Sequence, residues 1–481
     1  MRLRAGRFAS PYLSLALTDS SHMRQMQRTR GRFVGMMFCE QFPVAMTDST
    51  VSSARALAYR ALARIDQTDA YVDEVDLPGT PRERRQARDV VAGVTRQQRW
   101  LWFLVTQLYH GNPNELEPPV TRILKMGLYE LLFQATPARA AVHQYVELAK
   151  DVVGERVAGL VNGVLRTADR QRDALPQPDT GDRLRDLAIR SSMPTWLVKR
   201  WAEARGVAAT RALVQRLNAR PQFAVHLLDV APSELDALGV DWVPSPYVPD
   251  MVRLETLQPL VQAGWLDAGR VVVQGEGAAL VVNLLDPSPG DVVLDLCAAP
   301  GTKTLYAARR MQGRGVLWAN DQSAHRIEKL EASLKQHDNT DLVTTHVADA
   351  RTLTPEDLPE APTHVLLDVP CTGTGVLGRR ADLRWRRSPQ DVETLTALQD
   401  TLLDAAVGLL PPGGVLVYST CSLLPEENEA RVEAALGRHP ELTLVPPVRI
   451  PPAVQQDGFL HADPVAHGTD GAFGARLRKE G

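Results

Sequence analysis

Five segments in the second half of this chain open as short strand-like runs and stop at a turn of small, polar or acidic residues: Val292–Cys297, Val316–Asp321, Val343–Asp349, Leu366–Cys371 and Leu416–Ser422. Such runs bounded by turn signals read as buried strands, and together they predict an α/β fold with a parallel sheet. In open α/β sheets the ligand crevice lies beyond the carboxyl ends of the strands, so the turn residues are the ones a site can use. Leu366–Cys371 ends Asp368-Val369-Pro370-Cys371, and Leu416–Ser422 ends Ser419-Thr420-Cys421-Ser422. The two cysteines lie 50 residues apart, yet neighbouring strands would bring both thiols to one cleft with Asp368. Two thiols and an acid suit covalent catalysis on a weakly reactive ring.

The Val292 strand runs into Cys297-Ala298-Ala299-Pro300-Gly301-Thr302-Lys303, and Leu305–Ala308 starts a helix. Small residues let backbone approach a ligand closely. The turn lacks both G-x-G-x-x-G and G-x-x-x-x-G-K-[ST], so neither a dinucleotide nor a P-loop phosphate site is indicated. Asp321 follows the next strand about 20 residues on, where an acid can bond ribose hydroxyls. Three acids after three strand ends (Asp321, Asp349 and Asp368) suit a cofactor with a neutral adenosine, such as S-adenosylmethionine. Cys297 reads as a small buried hydrophobe, Asp295 as a cap of the turn outside the site, and Lys303 as a cofactor or active-site contact. His346 and His364 belong to no ligand pattern, and no C-x-x-C pair occurs, so no metal is expected.

The strings LDLCAAPGTKT (294–304), LLDVPCTGTGVLGRRADLRWRR (366–387) and VYSTCSLLPEENE (417–429) resemble the signature segments of the Nop/Sun family of RNA cytosine-C5 methyltransferases, in the family's order. The resemblance implies a Rossmann-like S-adenosylmethionine-dependent domain. Its cofactor contacts would be Cys297, Ala298, Ala299, Pro300, Gly301, Thr302, Lys303, Asp321, Asp349 and Asp368. Cys421 matches the family's nucleophile, and Cys371 matches the cysteine that assists product release. DNA cytosine methyltransferases use a Pro-Cys nucleophile, so Cys371 stays the rival. Thr302 stands where glycine is commoner in the family. The chemistry fits these residue types. Thiolate addition at C6 makes C5 nucleophilic, Asp368 can hold the N3/N4 edge, and a base must then remove the C5 proton. The cytosine must leave its stack to be reached.

Immediately after the Pro-Cys loop, Gly378–Arg387 sets five arginines around Trp385. Arg384, Trp385, Arg386 and Arg387 are the expected RNA contacts, through phosphates and base stacking. Overall charge is no guide: 54 basic against 57 acidic residues leaves −3, so an RNA surface must be a local patch.

At 481 residues with 44% hydrophobic content the chain should hold two or three globular domains. Residues 1–50 are arginine-rich and acid-poor, and are expected to be a disordered extension, with Met46 as an alternative start. Residues 51–171 read as helices, around Ala54–Ile65, Ala87–Leu108, Val120–Phe133 and Ala158–Leu165. Two strings there, RRQARDVVAGVTRQQRWLWFLV and VNGVLR, resemble the NusB-type helical domain that precedes the methyltransferase in the RsmB branch of the family. Its partner is RNA or a protein. Residues 180–268 read as a small α+β RNA-contacting domain, with one helical stretch from Pro194 to Leu217, and 269–481 as the methyltransferase. Ala224–Leu227 and Gln274–Ala278 depart from the family's Arg-x-Asn and Gln-Asp-x-Ala-Ser patterns. A helix over Val392–Leu410 and a last strand from Asp470 complete the reading.

The expectation is therefore a cytoplasmic, monomeric methyltransferase acting on C5 of a cytosine in RNA, 16S ribosomal RNA first. A tRNA or large-subunit target, or a non-catalytic RNA-binding assembly factor, are the alternatives. No apolar run approaches the ~20 residues of a membrane helix.

Overall fold

The computed structural model describes residues 53–68, 70–72, 75–338 and 340–481. The expected extension 1–50 lies outside them. The first helices are Ser53–Thr68, Pro81–Arg96, Gln98–Leu108, Pro118–Phe133, Ala138–Val152 and Ala158–Arg170. In Pro118–Phe133 the buried residues Val120, Ile123, Leu124, Leu128 and Leu131 fall at i, i+3, i+4, i+8 and i+11, the stripe a helix presents to a core. Pro81–Arg96 starts at a reciprocal cap: Thr80 Oγ1 accepts from Glu83 N, and the Glu83 carboxylate accepts from Thr80 N at 2.8 Å. The single helix expected over Ala87–Leu108 is two, broken at Gln97.

Three further helices follow, Arg183–Arg190, Thr195–Arg205 and Val207–Asn218. The stretch expected as one helix breaks at Gly206, whose φ of 81° is a conformation glycine adopts without strain. These helices share a core with Leu377, Leu383, Val392 and Leu424, so they pack on the large sheet's own elements.

Strands β1 (Phe223–Leu227), β2 (Trp242–Pro244), β3 (Met251–Leu254) and β4 (Val271–Val273) form an antiparallel sheet in the order β2-β3-β1-β4. Because β4 pairs with β1, this unit runs past the expected boundary at 268. The large sheet takes β5 (Val292–Asp295), β6 (Val316–Asn320), β7 (Val343–His346), β8 (His364–Asp368), β9 (Val415–Thr420), β10 (Leu442–Leu444), β11 (Gln455–Gln456), β12 (Phe459–Ala462) and β13 (Ala472–Lys479). Its order is β11-β12-β13-β9-β8-β5-β6-β7, with β10 on β13. Strands β5 to β9 are mutually parallel, and β13 returns antiparallel to β9. This is the Rossmann-like α/β fold that the five strand runs predict. Connections run both ways from β5, so the carboxyl ends of β5 and β8 flank the switch point where such sheets bind ligands. Helices Glu276–Leu285 and Pro389–Leu409 supply apolar side chains to the cores on the sheet's two faces. All described residues fall within one compact unit, Thr50–Gly481. None of their helices is long and apolar enough to cross a membrane.

Candidate active site

The ends of β8 and β9 are held in register, Asp368 opposite Ser419, and the loops beyond them carry the two cysteines. The Cys371 and Cys421 sulfurs lie 3.3 Å apart. The Cys421 sulfur beside it, together with burial, holds the Cys371 thiol well above the ordinary thiol range. Asp368 is fixed by two donors: Ser419 Oγ at 2.7 Å and the Lys303 ammonium at 2.6 Å. Lys303 comes from the first turn of the helix Thr302–Arg310 after β5, and both Asp368 and Cys421 raise its pKa against the desolvation that burial imposes. The structure therefore brings Cys371, Cys421, Asp368 and Lys303 to one cleft.

Beside it, Gly301 opens the helix Thr302–Arg310 with φ 107°, and a Cβ there would stand 2.2 Å from Leu330 Cδ1. Thr302, by contrast, is an ordinary helical residue. Ala298 N donates to Asn320 O at 2.8 Å, which seats the loop on β6. Burial drives the Cys297 thiol far above its ordinary value, and Cys297 packs against the core around Leu294 and Leu296. Asp321, 3% exposed, accepts from Ser323 N and pairs with Arg326 at 3.0 Å. Arg326 also donates to Ala299 O, bridging the acid to the loop. Asp349 is more open; it caps its own turn and pairs with Arg351, which depresses its pKa.

Two residues were not legible as site residues. Asn320, fully buried, donates to Leu296 O at 3.2 Å and Ala348 O at 3.1 Å, tying together the ends of β5, β6 and β7. Asp295, read above as a cap only, does accept from Thr304 Oγ1 at 2.8 Å, but its Oδ1 is buried without a partner. Burial pushes its pKa up to about 7. An orphaned carboxylate oxygen and two further acids, with no phosphate-cradling loop, form a set of acceptors fitted to a cofactor that donates from hydroxyl and ammonium groups, as S-adenosylmethionine does.

The arginine loop corrects the sequence reading. Arg384 is 1% exposed, and its Nη1 and Nη2 reach Arg96 O, Ser192 O, Asn218 Oδ1 and Leu377 O at 2.8–3.2 Å. Trp385 Nε1 donates to Thr95 O at 2.7 Å. Arg386 donates to Ala70 O and lies 4.2 Å over the Tyr71 ring. Arg387 donates to Thr372 O and Cys371 O at 3.3–3.4 Å. Guanidinium forks serve buried carbonyls as readily as phosphates, and here Arg384 and Trp385 dock the helices Pro81–Arg96 and Arg183–Asn218 onto the segment that follows the Cys371 loop. Of the five arginines, only Arg380 is exposed. Beyond Cys421 the next helix is Glu429–Arg438, and Glu427 just ahead of it points inward, 0% exposed.

Residues 282–478 match the family model of the 16S rRNA methyltransferase RsmB/F, and 52–170 match that of the NusB family. The chain is 33% identical to the probable ribosomal RNA small subunit methyltransferase B of Synechocystis sp., over 89% of this chain and 99% of the relative. It is 32% identical to ribosomal RNA small subunit methyltransferase B of Cronobacter sakazakii, over 85% and 97%. Among solved structures, the crystal structure of PH0851 superposes with a TM-score of 0.72 at 26% identity, covering 89% of this chain and 98% of that one. NSun6 from Pyrococcus horikoshii, solved with SFG, shares the fold at a TM-score of 0.51 and 22% identity, over 58% and 97%. A helical region matching one model, a thiol-bearing sheet matching the other, and relatives matched nearly end to end agree on one assignment: the chain belongs to the ribosomal RNA small subunit methyltransferase B family.

Proposed function

We propose that the chain methylates C5 of one cytosine in 16S ribosomal RNA through a covalent adduct between Cys421 and C6. The observation that carries this reading is the thiol pair, 3.3 Å apart beside the Lys303–Asp368 pair. Cys421 in its thiolate form adds to C6, and the C5–C6 π electrons shift into the ring and onto C5. Asp368, held by Ser419 and Lys303, receives the N3/N4 edge of the base and stabilises the adduct. The segment Cys297–Lys303 with Asp321 and Asp349 would hold S-adenosylmethionine, whose sulfonium would supply the methyl group to C5 and leave as the neutral thioether. A base then removes the C5 proton, the C5–C6 double bond re-forms, and the S–C6 bond breaks to release Cys421. Cys371 assists that elimination from its place beside Cys421. The helices of 53–170 add an RNA-binding module. On this reading the enzyme works as a cytoplasmic monomer without metal.

The order of steps separates the thiols. Cys421→Ala should neither methylate RNA nor form a covalent complex. Cys371→Ala should accumulate a protein–RNA adduct that survives denaturing electrophoresis and carries label from the methyl donor. A trapped adduct in Cys421→Ala would reverse the two roles. Bisulfite mapping in a deletion strain should show loss of one 16S methylcytosine. A loss confined to tRNA or the large subunit would move the target, and unchanged cytosines everywhere would remove the enzyme reading.

A further inference from the structure

Glu427 stands between the two cysteine loops. Its Oε1 accepts the backbone N–H of Thr372 at 2.8 Å and the Gln399 amide at 3.1 Å. Its Oε2 accepts the hydroxyls of Thr372 and Ser422, each at 2.5 Å. Thr372 follows Cys371 and Ser422 follows Cys421, so one carboxylate grips the residue after each thiol. All four donors are neutral. A carboxylate taken this far from water is tolerated only when fully hydrogen-bonded, and here the bonds converge from two loops 50 residues apart in sequence.

The surroundings immobilise the carboxylate itself. Tyr418 OH donates to Glu427 O at 2.6 Å, and the same Gln399 amide donates to Pro370 O at 2.9 Å. Next to it, Asn428 joins Thr420 Oγ1 to Ser422 O. Gly375 N closes the Cys371 loop onto Cys421 O at 2.9 Å. The arrangement is a clamp with Glu427 as its one charged member. Addition at C6 and proton removal at C5 act on adjacent ring carbons, so the two thiols must keep a fixed separation through both steps.

We propose that Glu427 is the positioning residue that sets the spacing of Cys371 and Cys421 while touching no reactant. The proposal rests on those cysteines being the working pair. Glu427→Gln keeps the volume but offers one acceptor oxygen instead of two, and turns an N–H₂ group toward donors that then have no acceptor. The loops lose their common anchor. A misplacement near 1 Å lowers turnover by about 100-fold.

The test uses the full chain. Methyl transfer to unmethylated small-subunit RNA, cofactor affinity by calorimetry and thermal melting are measured on Glu427→Gln. The rate at which diamide closes a Cys371–Cys421 disulfide is followed by peptide mass; the azo group takes up the two thiol hydrogens as the S–S bond forms. The expected result is kcat down about 100-fold and slower disulfide closure, with cofactor affinity and KM unchanged and the melting temperature lowered, because buried donors lose an acceptor. Wild-type closure in Glu427→Gln overturns the proposal, and so does a fall in cofactor affinity together with kcat, which would mean general structural damage. Cys421→Ala, run alongside, must be inactive. If it methylates, the thiol assignment fails whatever Glu427→Gln does; if it is inactive while Glu427→Gln behaves as wild type, only the clamp fails. Should Glu427→Gln not fold, Thr372→Val, which removes one hydroxyl donor at nearly equal volume, is judged by the same outcomes.

Discussion

Replacing Arg384 by alanine should unfold the protein more easily and leave RNA binding alone, the reverse of what its neighbourhood in sequence suggests. Burial, with Arg96 as a nearby like charge, pushes its pKa down from 12.5 to about 9. That shift corresponds to roughly 5 kcal/mol against the charged form. Four acceptors face the guanidinium. A hydrogen bond from a charged donor contributes about 1.5–3 kcal/mol, so the set outweighs desolvation by a few kcal/mol. Arg384→Ala abandons that balance, leaves three carbonyls and the Asn218 amide oxygen without their donor, and empties the space of the side-chain stem. We expect a loss of about 4 kcal/mol, read as a lower urea midpoint at unchanged m-value. Well below the melting temperature, the slope of log K against log salt for RNA should match wild type, because no phosphate contact is lost. Wild-type stability combined with a slope shallower by about 0.9 would refute the reasoning and restore Arg384 to the RNA surface.

Two further outcomes follow from single side chains. His226 is buried, and desolvation, then the Arg309 charge, lowers its pKa to about 4. Below about pH 6.5 the unfolded chain binds a proton the folded one refuses, so this residue's contribution falls as pH drops from about 6.5 to about 4, by about 3 kcal/mol in all. His226→Leu should flatten that stretch of the stability–pH curve, and parallel curves would sink the assignment. Asp321→Ala should weaken S-adenosylmethionine binding by about 1–3 kcal/mol with the fold intact, and wild-type affinity in calorimetry would take Asp321 out of the site.

The strands of the large sheet were legible because each is a local signal. The predicted runs at 292, 316, 343, 366 and 416 sit on β5 to β9, since an apolar run closed by a turn needs no knowledge of its neighbours. The cleft was legible for a related reason: in a parallel sheet the residues after the strands must share one edge, which brought Cys371, Cys421 and Asp368 together before any distance was known. Helix breaks fared unevenly. Gly206 carries a signal in its own chemistry, while Gln97 carries none, and the chain turns there because the helices on either side pack differently. The seam at 268 was placed too early because β4 belongs to the small sheet only through its partner β1.

Residues whose role is fixed by distant partners could not be read from their neighbours in sequence. Arg384 and Glu427 show this from opposite directions. Five arginines around a tryptophan beside the Cys371 loop have the composition of an RNA grip, but composition states only which bonds a loop can make. Whether phosphates or carbonyls receive them depends on Arg96, Ser192 and Asn218, which lie 166 to 288 residues away. Glu427 sits in a run of acids just ahead of a helix, where a macrodipole role is the ordinary local reading. Its true partners are Thr372 and Gln399, 55 and 28 residues away, besides nearby Ser422. In both cases the charge is inside, and a charge inside a protein is held by whichever donors or acceptors the fold delivers there. The chemistry of a turn can therefore be read residue by residue, while the scaffolding that aims it becomes visible only once the chain has closed on itself.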